Sequence, residues 1–384
     1  MRGSVRRRGA GWEYMYREVD PFTGKGGKQR SKAGFPTRKA AQDALHQVLA
    51  TMASGSYVSP TGITFGSFLQ ERWLPSIVAT IRPSTHYSYS RNIRLHVLPT
   101  LGDVPLQRLE PSALNALYAQ LLLDGRKDHR AGEPLSAKAV RYVHDVLNRA
   151  LQDAFRWNLV TRNVARLATP PKPRAADRPE LRTWTREDVA EFLSATKEHR
   201  LYAAFVVLAT TGARRGEILG LRWSDVDLGA GRLHIRRSLI CVTHEPQYST
   251  TKTMRSRRAV AVDPATVAAL RAHRVAQAAE KLAAGPEYDD SDLVFGDRYG
   301  HALHPERFTR TFQEQTERAG LPRIRLHDLR HTWATLALQA GVHPKVVSER
   351  LGHANISITI DTYSHVAPSM HAEAANTVAA LFLQ

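Results

Sequence analysis

Apolar residues recur along this chain at two periods, and the switches between them mark out its parts. Near the start, Trp12, Tyr14 and Tyr16 alternate at period two, as in a strand with one side turned to a core. The Gly-rich turn Thr23-Gly24-Lys25-Gly26-Gly27 follows, then a basic strand through Lys32 to Phe35. Thr37 is placed to cap a helix running from Arg38 to about Ala53. The Gly-Lys run lacks the Gly-Lys-Ser/Thr ending of a phosphate-cradling loop, and no apolar strand precedes it. Residues 1–60 thus read as a small α+β domain, a basic sheet backed by one helix.

From 62 to 167 the period is helical. Thr64 precedes the stripe Phe65, Phe68, Leu69 and Trp73, and Pro83-Ser84-Thr85 opens a second helix carrying Tyr87, Ile93 and Leu95. Leu114, Leu117, Tyr118, Leu121 and Leu122 form a third stripe. The fourth has Val143, Val146, Leu147, Ala150, Leu151 and Ala154 on one side, with Arg141 and Arg149 off it. At this spacing the aromatics read as core, not as platforms for stacking bases. The expectation is an all-α four-helix domain. Residues 168–179 are proline-rich and basic with nothing to pack, a linker. Thr185-Arg186-Glu187-Asp188 is a capping box that opens a third domain, 180–384. That domain reads as mainly α, with a hairpin or small antiparallel sheet over 233–262.

Composition narrows the class of partner. The 384 residues are 42% hydrophobic and 23% charged, as in ordinary globular proteins. No apolar run reaches the roughly 18 residues needed to cross a bilayer, and the basic N-terminus lacks the apolar stretch of a secretory signal. The single cysteine, Cys241, excludes a disulfide framework and a thiolate zinc cluster, so a reducing, cytoplasmic setting is expected. Lys and Arg outnumber Asp and Glu 54 to 36, a formal charge of +18, and residues 1–60 alone hold 11 against 4. Such a surface gathers polyanions and releases their counterions, which points to nucleic acid.

The chemistry is concentrated in the third domain. Arg214 and Glu217, three apart after Thr211-Gly212-Ala213, are expected to share a helix face, the carboxylate holding the guanidinium toward a phosphate. Thr251-Lys252-Thr253 sits within the predicted hairpin, where Lys252 could reach over a bound backbone and protonate a leaving oxygen. His327 and Arg330 point the same way from one helix. His327 and His331 have the spacing of a zinc-protease helix with Asp328 in place of Glu, but a guanidinium at Arg330 is hostile to a divalent cation. His331 is therefore expected to face away from the site, as a structural or phosphate-contacting residue. Gly352 fits the end of a helix before His353, and a short helix from Ile356 delivers Tyr363. Asp289, Asp290 and Asp292 read as a solvated turn before a strand-like Leu293-Val294-Phe295. Two guanidiniums, a lysine, two imidazoles and a phenol, without clustered acids, form a phosphoryl-transfer set that calls for no metal and no cofactor.

In these motifs, Thr-Gly-Ala-Arg-Arg-Gly-Glu-Ile-Leu, Thr-Lys-Thr, His-Asp-Leu-Arg-His-Thr and Leu-Gly-His with Asp-Thr-Tyr-Ser-His, the chain resembles the tyrosine recombinases (phage integrases). Residues 62–167 are similar to the family's core-site-binding domain, and 1–60, with Lys32-Ala-Gly-Phe-Pro-Thr37, to its arm-type DNA-binding domain. The resemblance implies a site-specific recombinase that integrates or excises a phage or mobile element. Tyr363 would be the nucleophile forming a 3′-phosphotyrosyl link, with Arg214 and Arg330 clamping the phosphate. Lys252 would protonate the 5′-oxygen, His327 assist removal of the phenolic proton and His353 donate to a phosphate oxygen. It further implies double-stranded DNA with core-type and arm-type sites, a homotetramer on synapsed DNA, and directionality or DNA-bending proteins as accessory partners. A type IB topoisomerase-like enzyme and a non-catalytic DNA-binding regulator are the competing readings. The separate basic N-terminal domain speaks against the first and the six-residue set against the second.

Overall fold

The computed structural model describes residues 3–19, 26–128, 130–173, 182–243, 245–250, 257–353 and 355–363, with 379, 380 and 382. It divides into two compact units, Met1–Arg178 and Pro179–Gln384. Among the described residues, no helix is long and apolar enough to cross a membrane.

The first unit opens with three antiparallel strands, β1 (Gly3–Arg8), β2 (Gly11–Val19) and β3 (Gly26–Phe35), in the order β1-β2-β3. Strand β1 was not marked by any apolar alternation, because its sequence is nearly all arginine on the open side. Side chains alternate across a strand, so Tyr14 and Tyr16 are buried with Leu45 of the Arg38–Ala53 helix, while Glu13 turns to the opposite face. There Glu13 lies buried beneath Arg6 and Arg8, at 3.0 and 2.9 Å. Thr37 caps the helix, its Oγ1 accepting from the Ala40 amide at 3.1 Å.

Four helical rods follow and share one core. The first two, over 65–77 and 83–101, each loosen to a π-helical stretch, Phe68–Trp73 and Ile93–Val97, just before a proline. Pro75 and Pro99 have no amide hydrogen to give the preceding turn, and the ladder widens to compensate. The third and fourth rods are Pro111–Asp124 and Ala137–Arg156. All six apolar residues expected to line the fourth are buried. Trp73, fully buried, donates from Nε1 to Asp153 at 2.9 Å, so its burial leaves no orphan donor.

The second unit surrounds an aromatic core of Trp184, Phe192, Phe205, Phe308 and Phe312. The Thr185–Asp188 capping box forms as read. The region 233–262 differs from the single hairpin or sheet expected. β4 (Val226–Asp227), β5 (Arg232–Ile235) and β8 (Arg258–Ala261) make one antiparallel sheet, and β6 (Arg237–Val242) pairs with β7 (Glu245–Thr250) in another. The chain breaks at Arg236 because β6 packs on the Arg215–Leu219 helix and not on β5's partners. Leu293, Val294 and Phe295 are buried but form no strand; Val294 donates its amide to the Leu221 carbonyl at 3.0 Å. Asp290 pairs with Lys281 in the exposed turn before them.

Leu147, fully buried at the centre of the four-helix core, gives a direct check on this packing. Leu147→Ala is expected to cost about 2–5 kcal/mol, read as a lowered urea midpoint at unchanged slope for the first unit's transition.

Candidate functional site

The site is built around the C-terminal end of the Pro344–Leu351 helix. An α-helix leaves its last carbonyls without amide partners. Gly352 here adopts a left-handed conformation, φ 67°, and the amides of Gly352 and His353 turn back to Glu349 and Ser348, both at 3.0 Å. The next three carbonyls accept from guanidiniums. Arg350 O takes Arg258 Nε at 2.6 Å, Leu351 O takes Arg330 Nη2 at 2.7 Å, and Gly352 O takes Arg214 Nη2 at 3.4 Å. A Cβ at 352 would come within 2.9 Å of the Arg258 guanidinium, so glycine is required twice over. Arg330 also donates from Nη1 to Gly212 O at 2.8 Å. Gly212, φ 64°, ends the Tyr202–Thr211 helix where a Cβ would strike Trp333 and Leu351.

Glu217 ties two of these arginines from the other side. It is 3% exposed. Oε1 accepts from Arg214 Nη1 at 2.9 Å and Arg258 Nη1 at 3.1 Å; Oε2 accepts from the Arg214 amide at 2.9 Å and Arg258 Nη2 at 2.8 Å. The expected pairing of Arg214 with Glu217 is thus present, but not on a shared helix face. Arg214 is the extended residue that caps the Arg215–Leu219 helix, and Glu217 reaches back to it. Burial alone would raise the Glu217 carboxyl, and Arg258 and Arg214 overcome it, so it stays below the usual carboxylate range.

On the Leu326–Gln339 helix, Arg330 is 4% exposed and His327 stands at the open edge. Burial, with His331, Arg330 and Arg214 beneath it, pushes His327 down to about 4. His353 is pushed to about 4 by burial, Arg330 and Arg214. Its Nδ1 is bonded to Thr359 Oγ1 at 2.7 Å, which leaves Nε2 for a ligand. Both imidazoles are therefore neutral at pH 7 while the site holds no anion. Arg330 itself holds its proton less tightly than usual, through burial and Arg214. Three guanidiniums face one carboxylate, a charge imbalance that an entering phosphate diester relieves.

Tyr363 ends the Ile356–Tyr363 helix and is 3% exposed, packed with Ala334, Leu338, Val347 and Leu351. Burial raises its phenol to about 12, against the pull of Arg330. Its Oη lies 2.7 Å from His331 Nδ1. This corrects the expectation that His331 faces away. Residues four apart on a helix lie on one face, so His331 sits one turn above His327 along the same side, their rings edge to face at 5.0 Å.

Of the six residues singled out in the sequence, Arg214, His327, Arg330, His353 and Tyr363 are brought together; Lys252 lies outside the described residues. Two members of the cluster were missed. The His331 signal was its four-residue spacing from His327. The signal for Arg258 was its parity with buried Val260, two along on β8. A cleft of about 730 Å³ opens beside the cluster, lined by Arg258, Lys345, Gly352, His353 and Asn355 among others. Among the described residues, no group of three or more His, Cys, Asp or Glu is arranged to hold a metal.

Glu217→Gln removes the only carboxylate between Arg214 and Arg258 among the described residues, and is expected to cost about 3–5 kcal/mol in urea unfolding of the second unit. The histidines act in a separate pH window. In the unfolded chain they bind protons near 6.5, in the folded one only near 4. The unfolded state thus takes up more protons between these values, and stability falls as pH drops from about 6.5 to about 4. A His327→Gln, His353→Gln double variant should flatten that limb of the melting-temperature profile.

Comparison with known proteins completes the picture. Residues 182–370 match the Phage integrase family, 64–122 its N-terminal SAM-like domain and 4–52 the Arm DNA-binding domain. The "Integrase" of Mycobacterium phage FRAT1 is 31% identical over 267 residues, covering 69% of this chain and 74% of that protein. A "Tyrosine recombinase XerC-like" protein of Caldanaerobacter subterraneus subsp. tengcongensis is 29% identical over 90% of both chains. Among solved structures, the Tn1549 transposon integrase in complex with transposon right end DNA superposes with a TM-score of 0.65 at 19% identity, over 78% of this chain and 95% of that one. A lambda integrase tetramer bound to a Holliday junction gives 0.53 at 19% identity, over 92% and 94%. The chain belongs to the phage integrase family of tyrosine recombinases, and it is an enzyme of site-specific DNA recombination.

Proposed function

We propose that this recombinase integrates or excises a phage or mobile element, cutting DNA through a 3′-phosphotyrosyl intermediate on Tyr363. The gathering of Arg214, His327, Arg330, His353 and Tyr363 from four separated stretches into one cluster supports this reading above all. Covalent catalysis divides a hard displacement in two and keeps the ester's energy for religation, so no nucleotide is needed. Arg214 and Arg330, each already fixed by protein acceptors, aim their remaining donors at the non-bridging oxygens and stabilise the pentacoordinate transition state. His353, through Nε2, and His327 donate to the same oxygens as neutral imidazoles. Lys252 protonates the departing 5′-oxygen. Glu217 and Arg258 are positioning residues for Arg214.

Residues 1–60 serve as the arm-type DNA-binding domain, 62–167 as the core-site domain, 168–179 as the linker and 180–384 as the catalytic domain. The partner is double-stranded DNA at core-type and arm-type sites, engaged by a homotetramer on synapsed DNA, with directionality or DNA-bending proteins as accessory factors. The open face of the N-terminal sheet, carrying Arg6, Arg8 and Arg17 at alternating positions, is suited to a DNA groove. The compartment is the cytoplasm, at the nucleoid.

Tyr363→Phe is expected to bind attachment-site DNA as wild type does and to form no covalent adduct on a nicked suicide substrate in a denaturing gel. EDTA is expected to leave wild-type adduct formation unchanged. Adduct from the Phe variant, or a strict divalent-metal requirement, would overturn the scheme.

A further inference from the structure

We propose that His331, and not His327, accepts the phenolic proton of Tyr363 as it attacks the scissile phosphate. The inference rests on the reading of Tyr363 as nucleophile and adds to it the identity of the proton acceptor. A general base has to lie within about 2.6–3.2 Å of the oxygen it deprotonates. His331 Nδ1 is 2.7 Å from Tyr363 Oη, whereas no hydrogen bond joins His327 to that oxygen among the described residues. The transfer requires one tautomer: with the phenol donating across this contact, Nδ1 is the bare nitrogen and Nε2 carries the hydrogen. The two rings are tilted by 54° at a centroid separation of 5.8 Å, which places the hydroxyl, not the ring face, against the imidazole.

The charged groups around the pair fit a transfer that occurs only when DNA is bound. Arg330, its neighbour on the same helix, and Arg325 oppose a proton on His331, and Asp328 favours one; burial opposes it most. From the other side, the Ile356–Tyr363 helix brings the phenol itself. In the free protein the proton therefore stays on Tyr363. A phosphate held by Arg214 and Arg330 neutralises the charge that opposes an imidazolium. As the Oη–P bond forms, the phenolic O–H bond breaks and its proton passes to His331 Nδ1. The P–O5′ bond breaks with its electron pair on the 5′-oxygen, which takes a proton from Lys252. On religation the 5′-hydroxyl attacks and returns its proton to the Lys252 amine, the P–Oη bond breaks, and the departing Tyr363 oxygen recovers its proton from His331. Burial with the Ala334, Leu338, Val347 and Leu351 cluster holds the phenol on this partner until attack.

The test is single-turnover adduct formation on a nicked suicide substrate with wild type, His331→Gln, His331→Ala and His327→Gln, each checked for DNA affinity and folding. Glutamine at 331 keeps an acceptor for the phenol but cannot carry its proton. His331→Gln is expected to bind DNA normally and to form adduct at least about a hundredfold more slowly. It should lose the acidic limb of the pH–rate profile that His327→Gln retains, and added imidazole should partly restore His331→Ala. An adduct rate for His331→Gln within threefold of wild type would overturn the proposal. So would a faster rate, which would make the contact a latch, or loss of the acidic limb in His327→Gln alone. Tyr363→Phe serves as the separate control: if it still forms adduct, the nucleophile assignment fails whatever His331 does.

Discussion

Three guanidiniums cannot be gathered around one half-buried helix end unless something negative and fixed is set among them. Here that role is shared by a helix end and one carboxylate. The carbonyls of residues 350, 351 and 352 carry the partial negative charge of a helix C-terminus and each accepts from a different arginine. Glu217 then binds Arg214 and Arg258 with both oxygens. The hydrogen bonds of Arg214 to Glu217 and Gly352, and of Arg330 to Gly212 and Leu351, run through the Nη atoms of forked side chains that carry five donors each. The result is a positive cluster whose arginines are held in place by backbone carbonyls and one buried carboxylate.

Much of the surrounding fold serves that arrangement. Gly212 and Gly352 let two helices end in left-handed turns, exposing the carbonyls that hold Arg330 and the other two arginines. The Tyr202–Thr211 helix, buried along most of its length, supplies the first of these ends. Strand β8 brings Arg258 to the cluster as its first residue. Burial first, and then the positive charge of the neighbouring arginines, drive the histidines to their neutral forms and destabilise Arg330 in its own charged form. On the proposed reading, a bound phosphate diester would offset the part of these shifts that comes from neighbouring positive charge. A preorganised site of this kind does not reorganise when charge develops in the transition state.

If Tyr363 is the nucleophile, as proposed, its burial keeps it quiet before DNA arrives. A phenol lifted to about 12 by burial is a weak nucleophile at neutral pH. Arg330 pulls in the opposite direction but does not prevail. Activation would then depend on where the proton goes, and the proposed transfer across the Tyr363–His331 contact gives it a destination inside the same unit. On that reading, binding, cleavage and religation would share one set of side chains, each proton transfer having a partner that reverses it.

What the amino-acid order determined by itself was local and periodic. The helical stripe over 143–154, the cap at Thr37, the box at Thr185–Asp188 and the glycine that ends the helix at Leu351 each depend on residues within one or two turns of each other. The chemistry-bearing motifs were legible for the same reason, since Arg214, His327, Arg330, His353 and Tyr363 each sit in a short recognisable context. Only the tertiary structure decided which groups touch. Arg258 became a partner of Glu217 across 41 positions of sequence, and His331 met Tyr363 across 32. The division of 233–262 into two sheets depended on a distant helix surface. Such pairings are fixed by packing between elements far apart in the chain, and no periodicity within either element records its partner.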